Sequence, residues 1–159
     1  MVKAIGSAII ILASTLLGIK KYISFFERRK LLQEIYNGSV AIRESIRCLC
    51  LPLYDCFLYG GDFFRKASEK IESGLLPGEA VNESAASYHI LTDEDKQCIA
   101  RFAKGLCAED YKGQLSNLDL FIKDMEKALN QATTELNTRG KLYIKGSILT
   151  ATAVVLLLI

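Results

Sequence analysis

The sequence predicts an all-α protein, a compact bundle of about five to six helices flanked by amino- and carboxy-terminal transmembrane helices. Uncharged apolar runs close both ends of the chain, AIGSAIIILASTLLGI over residues 4–19 and GSILTATAVVLLLI over residues 146–159. Two inner segments repeat apolar residues at alternating steps of three and four, and no stretch alternates apolar and polar residues long enough to make a strand. There is no internal repeat and no low-complexity linker. The expected division is an anchor at residues 1–21, a cytoplasmic helical domain at 22–142 and a second membrane helix at 143–159.

At a helical rise of about 1.5 Å per residue, the terminal runs cover about 21 to 24 Å of an apolar slab about 30 Å thick. Snorkelling Lys20, Lys21 and Lys145, with Tyr22, Phe25, Phe26, Leu142 and Tyr143 at the interface, closes the shortfall. A cleaved signal peptide is the rival reading of the first run, with Lys3 as its basic region. No small-x-small site follows the apolar core, however, and Lys20-Lys21 stands where cleavage would fall. A buried core helix is the rival for the second run, given Thr150 and Thr152, but residues 154–159 have no polar face.

Charge is segregated along the chain. Lys20, Lys21, Arg28, Arg29 and Lys30 follow the first run, and Arg139, Lys141 and Lys145 precede the second. By the positive-inside rule the middle of the chain lies in the cytoplasm and both termini face outward. Residues 31–138 hold 11 Lys or Arg against 17 Asp or Glu, a net −6 inside a whole chain of +2. Anionic lipid would attract the basic collars. The acidic body suits either a basic protein partner or plain solvation, and it disfavours nucleic acid.

In the first seam Leu32, Ile35, Ser39, Ile42, Ile46, Leu49, Leu53 and Cys56 share one helix face. The matching seam is Leu115, Leu118, Ile122, Met125, Leu129, Ala132, Leu136 and Arg139, so the two long helices are expected to pair antiparallel. Between them, Pro52 kinks or ends the first helix, Gly60-Gly61 turns the chain, and Asp62 caps a short helix to about Glu72 that ends at Gly74. Pro77 opens a helix whose inner face is Ala80, Val81, Ser84, Ala85 and Tyr88. Thr92 with Asp95 forms a capping box for a helix that turns Ile99, Phe102, Ala103 and Leu106 inward, and Gly113 breaks the chain before the last long helix.

Chemistry is sparse. Cys48, Cys50, Cys56, Cys98 and Cys107 are odd in number and lack paired C-x-x-C spacing, so they read as buried apolar thiols rather than disulfides or zinc ligands. His89 is the lone histidine, which excludes a two-histidine mechanism; a thiol enzyme pairing His89 with Cys98 or Cys107 stays open as a minor alternative. Asp93, Glu94 and Asp95 sit where a helix N-terminus favours carboxylates, and no glycine-rich phosphate loop occurs. No catalytic residue, metal site or cofactor is therefore expected.

Three segments carry a resemblance. They are GLLPGEAV at residues 74–81, FAKGLCAED at 102–110 followed by Gln114, and RGKLY at 139–143 running into Gly146 and the closing aliphatic run. In order, and with an apolar run at each end, they resemble the stage III sporulation protein AB family over nearly the whole chain. Ala103, Cys107 and Glu109 stand where the family pattern has Gly, Gly and Ser. The resemblance implies a non-enzymatic platform, similar to the inner-membrane platforms of type II secretion and type IV pilus machines. It would dock a cytoplasmic sporulation ATPase and other channel subunits in the mother-cell membrane around the forespore, possible homo-oligomers included. Glu79, Glu83, Glu109, Asp110 and Gln114 are the candidate partner-binding residues. The alternative is a generic membrane-anchored helical scaffold or receptor unrelated to secretion.

Overall fold

The computed structural model describes residues 2–49, 53–106 and 111–158. All its regular elements are helical: α1 (Val2–Leu49), a single turn α2 (Leu53–Cys56) running into a 3-10 turn (Phe57–Tyr59), α3 (Asp62–Glu72), α4 (Pro77–Ala86), α5 (Asp93–Gly105), α6 (Tyr111–Glu135) and α7 (Lys141–Leu158). A π turn, Leu136–Gly140, joins α6 to α7 without a loop. Two compact units result, one of residues 1–29 with 131–159 and the other of residues 30–130. We call them the paired-helix unit and the bundle unit.

The bundle unit is built on the predicted seams. Leu32, Ile35, Ile42 and Ile46 of α1 are buried, as are Leu118, Ile122 and Met125 of α6. Ser39 lies on the same face, and its hydroxyl donates to the Ile35 carbonyl at 2.7 Å, which satisfies it inside the core. Phe57, Phe63 and Phe64 are fully buried. Phe64 meets Phe57 and Phe63 at centroid distances of 5.3 and 5.1 Å, and Phe102 stacks on Phe121 at 4.2 Å. Gly38 and Gly60 let α1 and the turn before α3 touch backbone to backbone, since a Cβ on Gly38 would strike the Gly60 carbonyl.

Most helix ends follow their sequence signals. Gly74, at φ +104°, ends α3 in a Schellman motif, its N–H donating to Ile71 O at 2.9 Å and the Leu75 N–H to Lys70 O at 3.2 Å. Pro77 begins α4. Thr92 and Asp95 form both halves of the capping box: the Asp95 N–H donates to Thr92 Oγ1 at 3.3 Å and the Thr92 N–H to Asp95 Oδ2 at 3.0 Å.

Some expectations need correction. Asp62 is not the cap of α3: Gly61, at φ +83°, holds that position, and the Phe63 N–H donates to Glu34 Oε1 of α1 at 3.0 Å. A carboxylate distant in sequence does the work assigned to the adjacent one, while Asp62 accepts from Arg65 at 2.7 Å. Gly113 does not break the chain, because it lies inside α6. Tyr88 falls beyond the end of α4. Pro52, Cys50, Cys107, Glu109 and Asp110 lie outside the described residues.

Among the described residues, no helix is long and apolar enough to cross a membrane, so the flanking transmembrane helices are not found as spans. The uncharged runs themselves are 16 residues between Lys3 and Lys20 and 14 residues after Lys145, each short of the roughly 20 residues of a comfortable span.

Candidate functional site

In the paired-helix unit α1 and α7 run antiparallel. Ser14 Oγ donates to the Ser147 carbonyl at 3.0 Å, Tyr22 lies over Gly140, and Arg28 Nη1 pairs with Glu135 Oε2 at 2.6 Å, so rising numbers on one helix meet falling numbers on the other. The approach is close at Gly18, where a Cβ would collide with Ser147. Gly146, by contrast, has open space beside it. Hydroxyls here are spent within their own helices or across the pair: Ser147 donates to Ile144 O at 2.8 Å, Thr150 to Gly146 O at 2.6 Å and Thr152 to Ile148 O at 2.9 Å. This contact of small side chains with internally satisfied hydroxyls is how helices associate where no apolar side chains drive them together.

The pairing brings the basic residues of both helices to one end. Lys20, Lys21, Arg139, Lys141 and Lys145 are exposed and Arg29 is partly so, while Lys30 is exposed on the bundle unit. Arg28 behaves differently. It is 5 % exposed and faces Glu135 inside the pair, so it belongs to the packing rather than to a basic collar. Beside the pair lies a groove of about 950 Å³, lined by the cations Lys20, Lys21 and Arg139 and by Leu17 and Leu142. Leu17 is 69 % and Leu142 65 % exposed. Phe25 stacks on Tyr143 at 6.0 Å.

In the bundle unit, the first two segments that carry the family resemblance meet. At the start of α4, Gly78 lies against the Ala103 carbonyl near the end of α5, where a Cβ would come within 2.7 Å of that oxygen. Asn117 of α6 completes the junction by donating from Nδ2 to the Phe102 carbonyl at 3.0 Å, beside Gly105. Sequence reasoning missed Asn117, for which the small residue at 105 was the available signal. Glu79 is exposed on the first turn of α4; Glu83 is exposed but tied to Lys70 at 2.8 Å; Gln114 is half-buried on α6. Gln114 sits on a different helix from the two glutamates, and Glu109 and Asp110 lie outside the described residues.

Elsewhere the reactive side chains are dispersed. Cys56 is buried, and burial, followed by the Asp55 carboxylate, pushes its thiol pKa up, away from nucleophilic use. Cys98 accepts from Arg101 Nη2 at 3.2 Å, and the same guanidinium pairs with Asp124 at 3.0 Å; the thiol contact and then the carboxylate hold Arg101 above its ordinary pKa. Cys48 is exposed rather than buried, since it lies two residues past Ile46 and off the seam, and His89 is exposed as well. Lys66 bonds to the Tyr88 hydroxyl at 2.9 Å, which raises the ammonium pKa. Among the described residues no three His, Cys, Asp or Glu side chains are grouped to hold a metal ion.

A family model for stage III sporulation protein AB matches residues 3–159. The chain belongs to the stage III sporulation protein AB family. No curated relative and no solved structure matches it. Membership gives the chain a role in sporulation. Within this family member, the match takes in both units, so the paired helices are as much a part of the family pattern as the bundle.

Proposed function

We propose that this chain is a non-enzymatic membrane platform of a secretion-like channel complex in sporulation, holding a cytoplasmic ATPase to the mother-cell membrane around the forespore. The observation that carries the reading is the family match over residues 3–159. The antiparallel pairing of α1 with α7 supports it, because it sets two apolar helix ends side by side with the lysines of both helices at one border. Two such helices shield each other's backbone and present leucines outward, an arrangement suited to lipid. In water, each exposed leucine side chain would forfeit about 2 kcal/mol of burial. The bundle unit then faces the cytoplasm, with Glu79 and Glu83 exposed on α4.

The test is retention of the sporulation ATPase by the full chain in native-lipid particles. The wild-type chain retains it, and the charge-reversed variant Glu79→Lys with Glu83→Lys retains much less. A folded, membrane-inserted wild-type chain that retains no ATPase would overturn the docking role.

A further inference from the structure

We infer that the groove beside the α1–α7 pair is a binding site for an anionic glycerophospholipid, the phosphate held by Lys20, Lys21 and Arg139 and an acyl chain lying along Leu17 and Leu142. The inference rests on the membrane reading above and goes beyond it, since it assigns a discrete ligand to named residues rather than a general attraction of basic collars.

The groove has the polarity of such a lipid. All three cations line it, and among the described residues none of them has an ion pair. The paired-helix unit has few carboxylates to neutralise them: its acidic side chains are Glu27 and Glu135, and Glu135 is taken by Arg28 at 2.6 Å. Uncompensated cations in a partly enclosed groove favour an anion, and a phosphodiester supplies acceptor oxygens for both lysines and the arginine fork. Toward Ser14, Ser147 and Thr150 the wall is chemically apolar despite those hydroxyls. Ser14, Ser147 and Thr150 donate to main-chain carbonyls, so a hydrocarbon chain there leaves none of those hydroxyl donors stranded. A free phosphate would use only the three cations; the exposed leucines call for an attached chain. A groove of about 950 Å³ accommodates a headgroup and the upper part of one chain.

The full chain, delipidated in neutral detergent micelles, would be titrated with phosphatidylglycerol, phosphatidylcholine or inorganic phosphate, and bound lipid counted by native mass spectrometry. One phosphatidylglycerol is expected to bind at least about tenfold more tightly than phosphatidylcholine, with inorganic phosphate failing to displace it. Lys20→Gln, Lys21→Gln and Arg139→Gln together abolish the preference. Arg29→Gln, Lys141→Gln and Lys145→Gln, which remove the same charge outside the groove, leave it in place. Equal loss in both triple variants, or displacement by inorganic phosphate, would overturn the inference. Helicity by circular dichroism verifies that each variant folds. Separately, vesicle flotation tests the reading beneath: a chain that floats but shows no headgroup preference loses only the lipid site, and one that never floats loses the membrane platform as well.

Discussion

In the bundle unit Phe57, Phe63, Phe64 and Phe102 are buried and meet ring against ring, whereas in the paired-helix unit the helices meet through Ser14, Gly18, Gly140 and Ser147 while Leu12, Leu16, Leu17, Leu142 and Leu149 are exposed. The first pattern is the hydrophobic effect acting in water: large apolar area leaves solvent and rings interlock. The second uses close approach, internal hydrogen bonds and an ion pair, which still operate when the surroundings are themselves apolar. A single chain therefore has two kinds of cohesion, and variants can separate them.

The largest effect is expected from Phe64→Ala. The side chain is fully buried against Phe57, Phe63 and Phe102, so the cavity and lost transfer energy cost the bundle about 3 to 5 kcal/mol. Denaturant unfolding of the detergent-solubilised chain measures this. Hydrogen exchange should show amides of residues 62–105 losing protection while those of residues 12–25 do not. Equal loss in both regions would mean the two units do not stand on separate cohesion.

Arg28→Met comes next. Removing the guanidinium leaves half-buried Glu135 with Gln131 as its hydrogen-bond partner and should destabilise the paired helices by about 2 to 3 kcal/mol, while the double variant with Glu135→Leu recovers most of the loss. The readout is protection of residues 12–25 in the same exchange experiment. A neutral single variant would show that water reaches the pair, and the contrast with the aromatic core would weaken accordingly.

Much of the bundle was legible because its signals are local. The three-and-four spacing of Leu32 to Ile46, Pro77 at a helix start, the Thr92–Asp95 box and Gly74 at a helix end depend on residues a turn apart, and all of them fold as their types dictate. What escaped was set by tertiary contact. Glu34 caps α3 from another helix, Asn117 ties α6 to the end of α5, and Gly113 remains helical because α6 continues through it. Arg28 read as one more basic residue beside Arg29 and Lys30, and only the antiparallel register shows Glu135 opposite it. For the candidate site, composition located the cations, but that Lys20, Lys21 and Arg139 line one groove depends on that same register.

Two glycine variants sharpen the comparison at a smaller scale. Gly38→Ala drives a Cβ into the Gly60 carbonyl, a main-chain atom that cannot rotate away, and should cost the bundle about 1 to 3 kcal/mol. Gly18→Ala meets first the Ser147 hydroxyl, which can change rotamer, and then the Ser147 Cβ at 3.0 Å and the Tyr143 carbonyl at 3.1 Å, which need shift only by tenths of an ångström, so about 1 kcal/mol at the low end of the same range is expected for the paired helices. Denaturation midpoints of the two variants check the order; a larger loss at Gly18 would place the tighter backbone contact in the paired helices.

The smallest expected effect is a pH dependence confined to the bundle. Burial and then Asp55 raise the Cys56 thiol above its ordinary value of 9.0 in the folded chain. As pH rises through 9.0 the unfolded chain releases this proton first, so it binds fewer protons than the native state and stability falls with pH. The contribution is complete below that value and is lost on the way to the folded pKa. Lysines and tyrosines titrate in the same region, which makes the difference between two chains the useful readout. Cys56→Val, close in volume and without a proton to lose, should decline less steeply than wild type between about pH 8 and about pH 10. Parallel slopes would mean that water reaches Cys56 in the native state and that the core beside Phe57 is less dry than its full burial indicates.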